Sequence, residues 1–147
     1  MSLDPVADWR PAPETGATVA IASDRDILTA RHQGRMFALQ LGFSSPEAVL
    51  VATAISELAR NIVLYATQGE IVMKPIDREG QPGVLVIARD DGPGIPENCQ
   101  LAIRGESPSG TVCLGLRGVQ RLVDECEIVS GGGHGTTVAL KKWRSAQ

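Results

Sequence analysis

The chain has 147 residues, a formal net charge of -3 and a pI near 5.4. That length suits one domain with a substantial core, and no internal repeat divides it. The charge supplies no cluster of Lys and Arg to grip nucleic acid or anionic lipid, so both partner classes are disfavoured. Cys99, Cys113 and Cys126 form no C-x-x-C pair and have no His at metal-ligand spacing, so they read as free thiols of a reducing compartment. No apolar run is expected to reach the roughly 20 residues of a membrane span, and the N-terminus lacks a basic-then-apolar signal pattern. The expectation is a soluble cytoplasmic protein.

Residues 1–16, with Pro5, Pro11 and Pro13 and no apolar period, read as a flexible tail ahead of a domain over 17–147. Residues 18–22 read as an edge strand, and Ser23 or Asp24 as the N-cap of a helix. In that helix Ile27, Ala30, Gly34, Phe37 and Leu41 recur at helical spacing. Arg25, Arg31 and Arg35 fall on other faces, either simply solvated or a docking surface for an acidic partner. Gly42-Phe43-Ser44 breaks the helix. Ser45-Pro46-Glu47 restarts one with a cap, an early proline and an acid in the first turn.

This second helix runs to about Ala66, with Ala48, Ala52, Ile55, Ala59 and Ile62 as its apolar stripe. Glu57 and Asn61 lie four residues apart and project from one side, a turn above one another. Asn is a poor helix-interior residue because its amide competes for backbone hydrogen bonds, so its position here asks for a reason. One reading is a surface pair beside the stripe. The functional reading has the Asn61 oxygen hold Mg²⁺ while Glu57 acts as base or orients a nucleophile.

Residues 70–77 and 84–90 read as two strands joined by a loop over 78–83. Val84, Val86, Ala88 and Asp90 share one face of the second strand, which aims a carboxylate the same way as core side chains. An ionised carboxylate only accepts hydrogen bonds, and the exocyclic amine of adenine donates them. Gly92 and Gly94 leave the following backbone bare enough to approach a planar ring. Taken alone, the same string also describes an ordinary Asp-Gly or Pro-Gly turn.

Residues 96–104 read as a short helix and 105–110 as a mobile lid. Leu114-Gly115-Leu116-Arg117-Gly118 reads as a glycine-rich loop feeding a helix that carries Val119, Leu122 and Val123. Such a loop can cradle phosphate, because unpaired amides and the helix dipole both favour an anion. Residues 127–130 and 136–143 read as strands around a glycine turn, in which His134 is an exposed residue rather than a catalyst.

Four segments in this order resemble the GHKL family of Bergerat-fold ATPases. Glu57-x-x-x-Asn61 is similar to its N box and Asp90-x-Gly92-x-Gly94 to its first glycine box. Gly110 to Gly118 is similar to the second box, and Gly133-x-Gly135-Thr136 to the third. The resemblance implies a two-layer α/β sandwich with a mixed, mainly antiparallel sheet covered on one face by helices, binding ATP and Mg²⁺. It implies that Asp90 receives the adenine amino group, with Gly92, Gly94 and Ile95 beside it and Thr136 completing the contact, and that Asn61 coordinates Mg²⁺. Gly110, Gly115, Leu116 and Gly118 would border the phosphates. Asp91 falls on the variable position of its box.

Within that family, Ser56 to Asn61 and Asp124 to Ser130 look closest to RsbT-like serine/threonine kinases of the bacterial stressosome. This implies phosphorylation of a STAS-domain antagonist with Glu57 as base, then activation of a PP2C-type phosphatase. The second box departs from the family's usual G-G-L-G-L-G-L and reads Gly110-Thr111-Val112-Cys113-Leu114-Gly115-Leu116. Its missing glycines keep open an alternative, a partner-binding module that uses nucleotide weakly or not at all. A gyrase-like hydrolase or a histidine-kinase fragment fits less well, since neither a second domain nor a phosphoacceptor hairpin is expected.

Overall fold

The computed structural model describes residues 16–92, 110–130 and 135–145. In chain order the elements are β1 (Ala17–Ile21), α1 (Asp24–Gln40), α2 (Ser45–Tyr65), β2 (Gly69–Arg78), β3 (Gln81–Asp90), α3 (Gly110–Leu122), β4 (Glu125–Ser130) and β5 (Thr136–Trp143).

The starts of α1 and α2 are chemically marked. Ser23 is the N-cap of α1, and the Asp26 carboxylate accepts from the backbone N–H groups of Ala22 at 2.8 Å and Ser23 at 3.1 Å. Ser44, one residue earlier than expected, caps α2 in a reciprocal box: its Oγ accepts from Glu47 N at 3.2 Å while Glu47 Oε1 accepts from Ser44 N at 3.1 Å. Pro46 sits in the first turn, where a missing N–H costs no helical bond. Residues 41–44 turn the chain back, and the two helices pack as a hairpin with Gly34 against Ile55.

The five strands form one sheet in the order β1-β2-β3-β5-β4, and all four pairings are antiparallel. Strand alternation sends Val19, Ile21, Ile71, Met73, Val86 and Leu140 to one face, where they are buried with Ile55 and Leu58 of α2 and Leu116 and Val119 of α3. The other face carries Glu70, Lys74 and Arg89, and Arg89 Nε pairs with Glu70 Oε2 at 3.2 Å. The result is the expected two-layer sandwich, with the sheet covered on one face by helices and fully antiparallel among the described strands.

Three local expectations change. The loop expected over 78–83 is a two-residue hairpin turn, because Arg78 and Gln81 are register partners and Glu79 and Gly80 both take positive φ (52° and 88°). Gly80 N donates to Asp77 Oδ2 at 3.1 Å across that turn. Strand pairing therefore continues through residues that composition alone marks as loop.

The stretch Leu114 to Gly118, expected as a loop, lies inside α3, which begins at Gly110. Thr111, Val112 and Cys113 stand where further glycines would have disfavoured a helix, and Leu116 and Val119 give the run an apolar stripe to bury.

Finally, α2 is by length and composition apolar enough to cross a membrane, with a mean hydropathy of 1.4, which corrects the expectation that no such run exists. In the fold it is the central core helix, with Ala48, Val51, Ile55, Leu58 and Ile62 buried.

The chain end is clipped to the α1–α2 connection. Arg144 Nη1 donates to Leu41 O at 3.4 Å, and Ser145 donates to Glu47 Oε2 from both its backbone N, at 3.0 Å, and its Oγ. Burial works against ionisation of Glu47, but the hydrogen bonds from Ser145 and Ser44 outweigh it and hold the carboxyl below its ordinary value of 4.5.

Candidate functional site

Helix α2 is the spine of the site. Glu57 and Asn61 project from it at adjacent turns, as their spacing dictates. Both are half-buried, at the margin between the core stripe and the open side of the helix. Glu57 Oε2 accepts from Arg60 Nη1 at 2.6 Å. Asn61 Nδ2 is fully buried and has no hydrogen-bond partner among the described residues. A buried polar atom left unpaired costs about 1–3 kcal/mol. Which end of the amide is nitrogen is an assignment, so the finding is a buried amide terminus aimed at nothing the described protein supplies.

The second part of the site is the end of β3. Asp90 is half-buried, and its Oδ1 accepts from Gly92 N at 2.9 Å in a tight local turn. Oδ2 accepts no hydrogen bond among the described residues. Asp90 is flanked by register partners on both sides, Gly69 of β2 and Thr136 of β5. Thr136 is 8 % exposed, a buried hydroxyl beside that carboxylate. Asp91, by contrast, is exposed. The turn expected of this segment is there, and it leaves one carboxylate oxygen without a hydrogen bond among the described residues.

Two glycines lock these parts together by close approach. A Cβ on Gly92 would come within 2.7 Å of Ala66 Cβ and 2.9 Å of Ala66 Cα, so the backbone after Asp90 rests on the C-terminal end of α2. A Cβ on Gly135, whose φ is +83°, would collide with the Asp90 carbonyl. Asn61 and Ala66 are five residues apart along the helix, about 7.5 Å of rise at 1.5 Å per residue.

Helix α3 packs on α2 and brings the third group of expected residues to the same layer. Leu116, expected beside the phosphates, is 1 % exposed and anchors α3 in the core. Gly118 is half-buried, and a Cβ there meets open space among the described residues, so packing does not require glycine at that position. Gly110 and Gly115 lie in the first two turns of the helix. Gly94, Ile95, Gly133 and His134, the expected short helix over 96–104 and the lid up to residue 109 lie outside the described residues.

The residues present fit a nucleotide and a divalent cation. The grounds are the orphaned buried amide of Asn61 on α2, the Asp90 carboxylate oxygen that accepts nothing among the described residues beside the buried Thr136, and the open space at Gly118 on α3. A cleft of about 390 Å³, lined by Ala20, Gln68, Gly69, Arg89, Asp90 and Asp91 among others, opens at the strand ends, so it reaches Asp90 while drawing no residue from α2 or α3. Among the described residues no group of His, Cys, Asp and Glu is arranged to hold a metal by itself. Sequence reasoning missed Arg60, whose position three residues after Glu57 was the available signal.

Comparison with known proteins bears on the fold and the family. The RsbU and RsbW domains of a Mycobacterium tuberculosis protein superpose with a TM-score of 0.56 at 21% identity, over 89% of this chain and 34% of that one. The chain therefore spans about a third of that protein. A mycobacterial sensor histidine kinase, MprB, superposes with a TM-score of 0.50 at 13% identity, over 90% of this chain and 100% of the other. Such likenesses establish the shared fold alone. No family model matches the chain. In sequence it is 44% identical over 125 residues to the serine/threonine-protein kinase RsbT of Bacillus subtilis (strain 168), covering 85% of this chain and 94% of the relative. The chain belongs to the RsbT family of serine/threonine-protein kinases.

Proposed function

We propose that the protein transfers the γ-phosphoryl group of ATP to a serine or threonine of a STAS-domain antagonist. The released kinase then activates a PP2C-type phosphatase in a cytoplasmic partner-switching pathway, with residues 17–147 as the catalytic domain. The single observation that carries this reading is the buried Asn61 Nδ2, without a partner among the described residues, one turn beyond Glu57 on a helix whose end supports the Asp90 turn.

In this reading Asp90 Oδ2 accepts from the adenine amino group, Thr136 lies beside it, and Gly92, Gly94 and Ile95 border the ring. Asn61 turns its amide oxygen toward Mg²⁺, which supplies charge neutralisation on the phosphates. Gly110, Gly115 and Gly118 border the phosphates, and Leu116 holds their helix against the core. Glu57 takes the proton of the substrate hydroxyl as that oxygen bonds to the γ-phosphorus. The bond to the β-phosphate oxygen breaks with its electron pair leaving on ADP, so charge and atoms balance.

The test is transfer of label from γ-labelled ATP to the STAS-domain protein of the same organism, with Glu57→Gln alongside. Transfer that fails in the variant while nucleotide binding persists is expected. No labelling by the wild-type chain would remove the kinase reading. The helical course of residues 110–118 favours a second reading, a partner-binding module with weak nucleotide affinity. Tight, Mg²⁺-dependent ATP binding in a calorimetric titration would exclude it.

A further inference from the structure

We infer that Arg60 is a positioning residue for Glu57, holding the carboxylate by Oε2 so that Oε1 is presented to the substrate hydroxyl. The inference rests on the reading of Glu57 as base. Its observation is the 2.6 Å contact between Arg60 Nη1 and Glu57 Oε2, which is both a hydrogen bond and an ion pair. Glu57 Oε1 accepts nothing among the described residues.

Helix geometry explains the arrangement. Seen from Glu57, position i+3 lies on one flank and i+4 on the other, so Arg60 stands on the solvent side and Asn61 on the core side. Glu57 thereby sits between a fixed cation and an amide, both carried by the same rigid helix. A general base must be within hydrogen-bond reach of the proton it removes, and a half-exposed Glu has three side-chain torsions with which to miss. A guanidinium keeps its charge at any working pH and cannot take up the proton, so Arg60 orients the base without competing with it.

Stability is a poor alternative explanation. The side chains are 51% and 31% exposed, and ion pairs at such exposure contribute little to folding. Truncating Arg60 on this open face keeps a good helix former in place, so Arg60→Ala is expected to fold as the wild type does.

The experiment compares wild type, Arg60→Ala, Arg60→Lys, Glu57→Gln and the Arg60→Ala/Glu57→Gln double variant. Each is a full-length chain, assayed with Mg²⁺, ATP and the STAS-domain protein of the same organism, with thermal melts as a folding control. Arg60→Ala is expected to lower kcat about tenfold while KM for ATP is unchanged, a fraction of the roughly 10²–10⁴-fold that general bases contribute. Arg60→Lys recovers part of the loss, because an ammonium can hold one oxygen. In the Glu57→Gln background the Arg60→Ala change has no further effect, since the residue acts only through the carboxylate. Full activity of Arg60→Ala beside an inactive Glu57→Gln overturns the inference and leaves the reading of Glu57 standing. An equal loss from Arg60→Ala in both backgrounds overturns it as well. Transfer that survives Glu57→Gln overturns the reading of Glu57 itself, and this inference with it.

Discussion

Asp90 and Thr136 are register partners across β3 and β5, which sets a buried hydroxyl beside a carboxylate that spends only one of its oxygens on its own turn. Asp91, the next residue, is exposed. Asp90→Asn replaces an acceptor by a donor and is expected to abolish ATP binding, whereas Asp91→Asn changes it little. Titration with a fluorescent nucleotide checks this, and the opposite ranking would mean that the adenine contact is assigned to the wrong carboxylate.

Asn61 offers a prediction in which stability and function part. Asn61→Leu removes a buried amide with no partner among the described residues and installs a better helix former, so the empty protein gains about 1 kcal/mol of unfolding free energy. Phosphotransfer is lost in the same variant. Urea denaturation and the labelling assay read the two effects, and a destabilised Asn61→Leu would show that the amide serves the fold.

Gly118 makes a similar case from the opposite side. It lies inside a helix with open space where a Cβ would go, so Gly118→Ala should raise stability by up to about 1 kcal/mol. If that space belongs to the phosphates, the same methyl weakens ATP binding. Parallel denaturation and calorimetry decide the matter, and unchanged affinity would remove Gly118 from the site.

Much of this arrangement was legible in the sequence. Glu57 and Asn61 needed only helical spacing, and Asp90 only the alternation of Val84, Val86 and Ala88, because both periods survive folding unchanged. Residues 78–83 misled because Gln81, Pro82 and Gly83 look like loop while their register with β2 keeps them paired. The helical start at Gly110 is hidden because the glycines there signal a loop, while the burial of Leu116 and Val119 that holds the helix is set by packing against distant residues. Contacts between distant residues, such as Gly92 on Ala66 or Ser145 on Glu47, leave no local pattern to read.

The last of these contacts has a pH signature. The Glu47 carboxyl is held below 4.5 in the folded chain, so its hydrogen bonds contribute stability above the unfolded value and lose it as pH falls through the folded one. Glu47→Gln and Ser145→Ala should therefore be less stable than wild type at neutral pH, with the gap narrowing below pH 4.5. Denaturant melts across that range test it, and a gap that is constant with pH would show that the carboxylate charge plays no part.

The seat of Gly92 on Ala66 makes α2 a ruler between Asp90 and Glu57. Distance from the seat of the Asp90 turn to Glu57 is counted in residues of one continuous helix, with no hinge between them among the described residues. One residue inserted between Asn61 and Ala66 would swing Glu57 by about 100° and shift it by about 1.5 Å relative to Asp90. The reach of this kinase is thus written as an integer number of helical positions, and evolution can alter it only in whole steps.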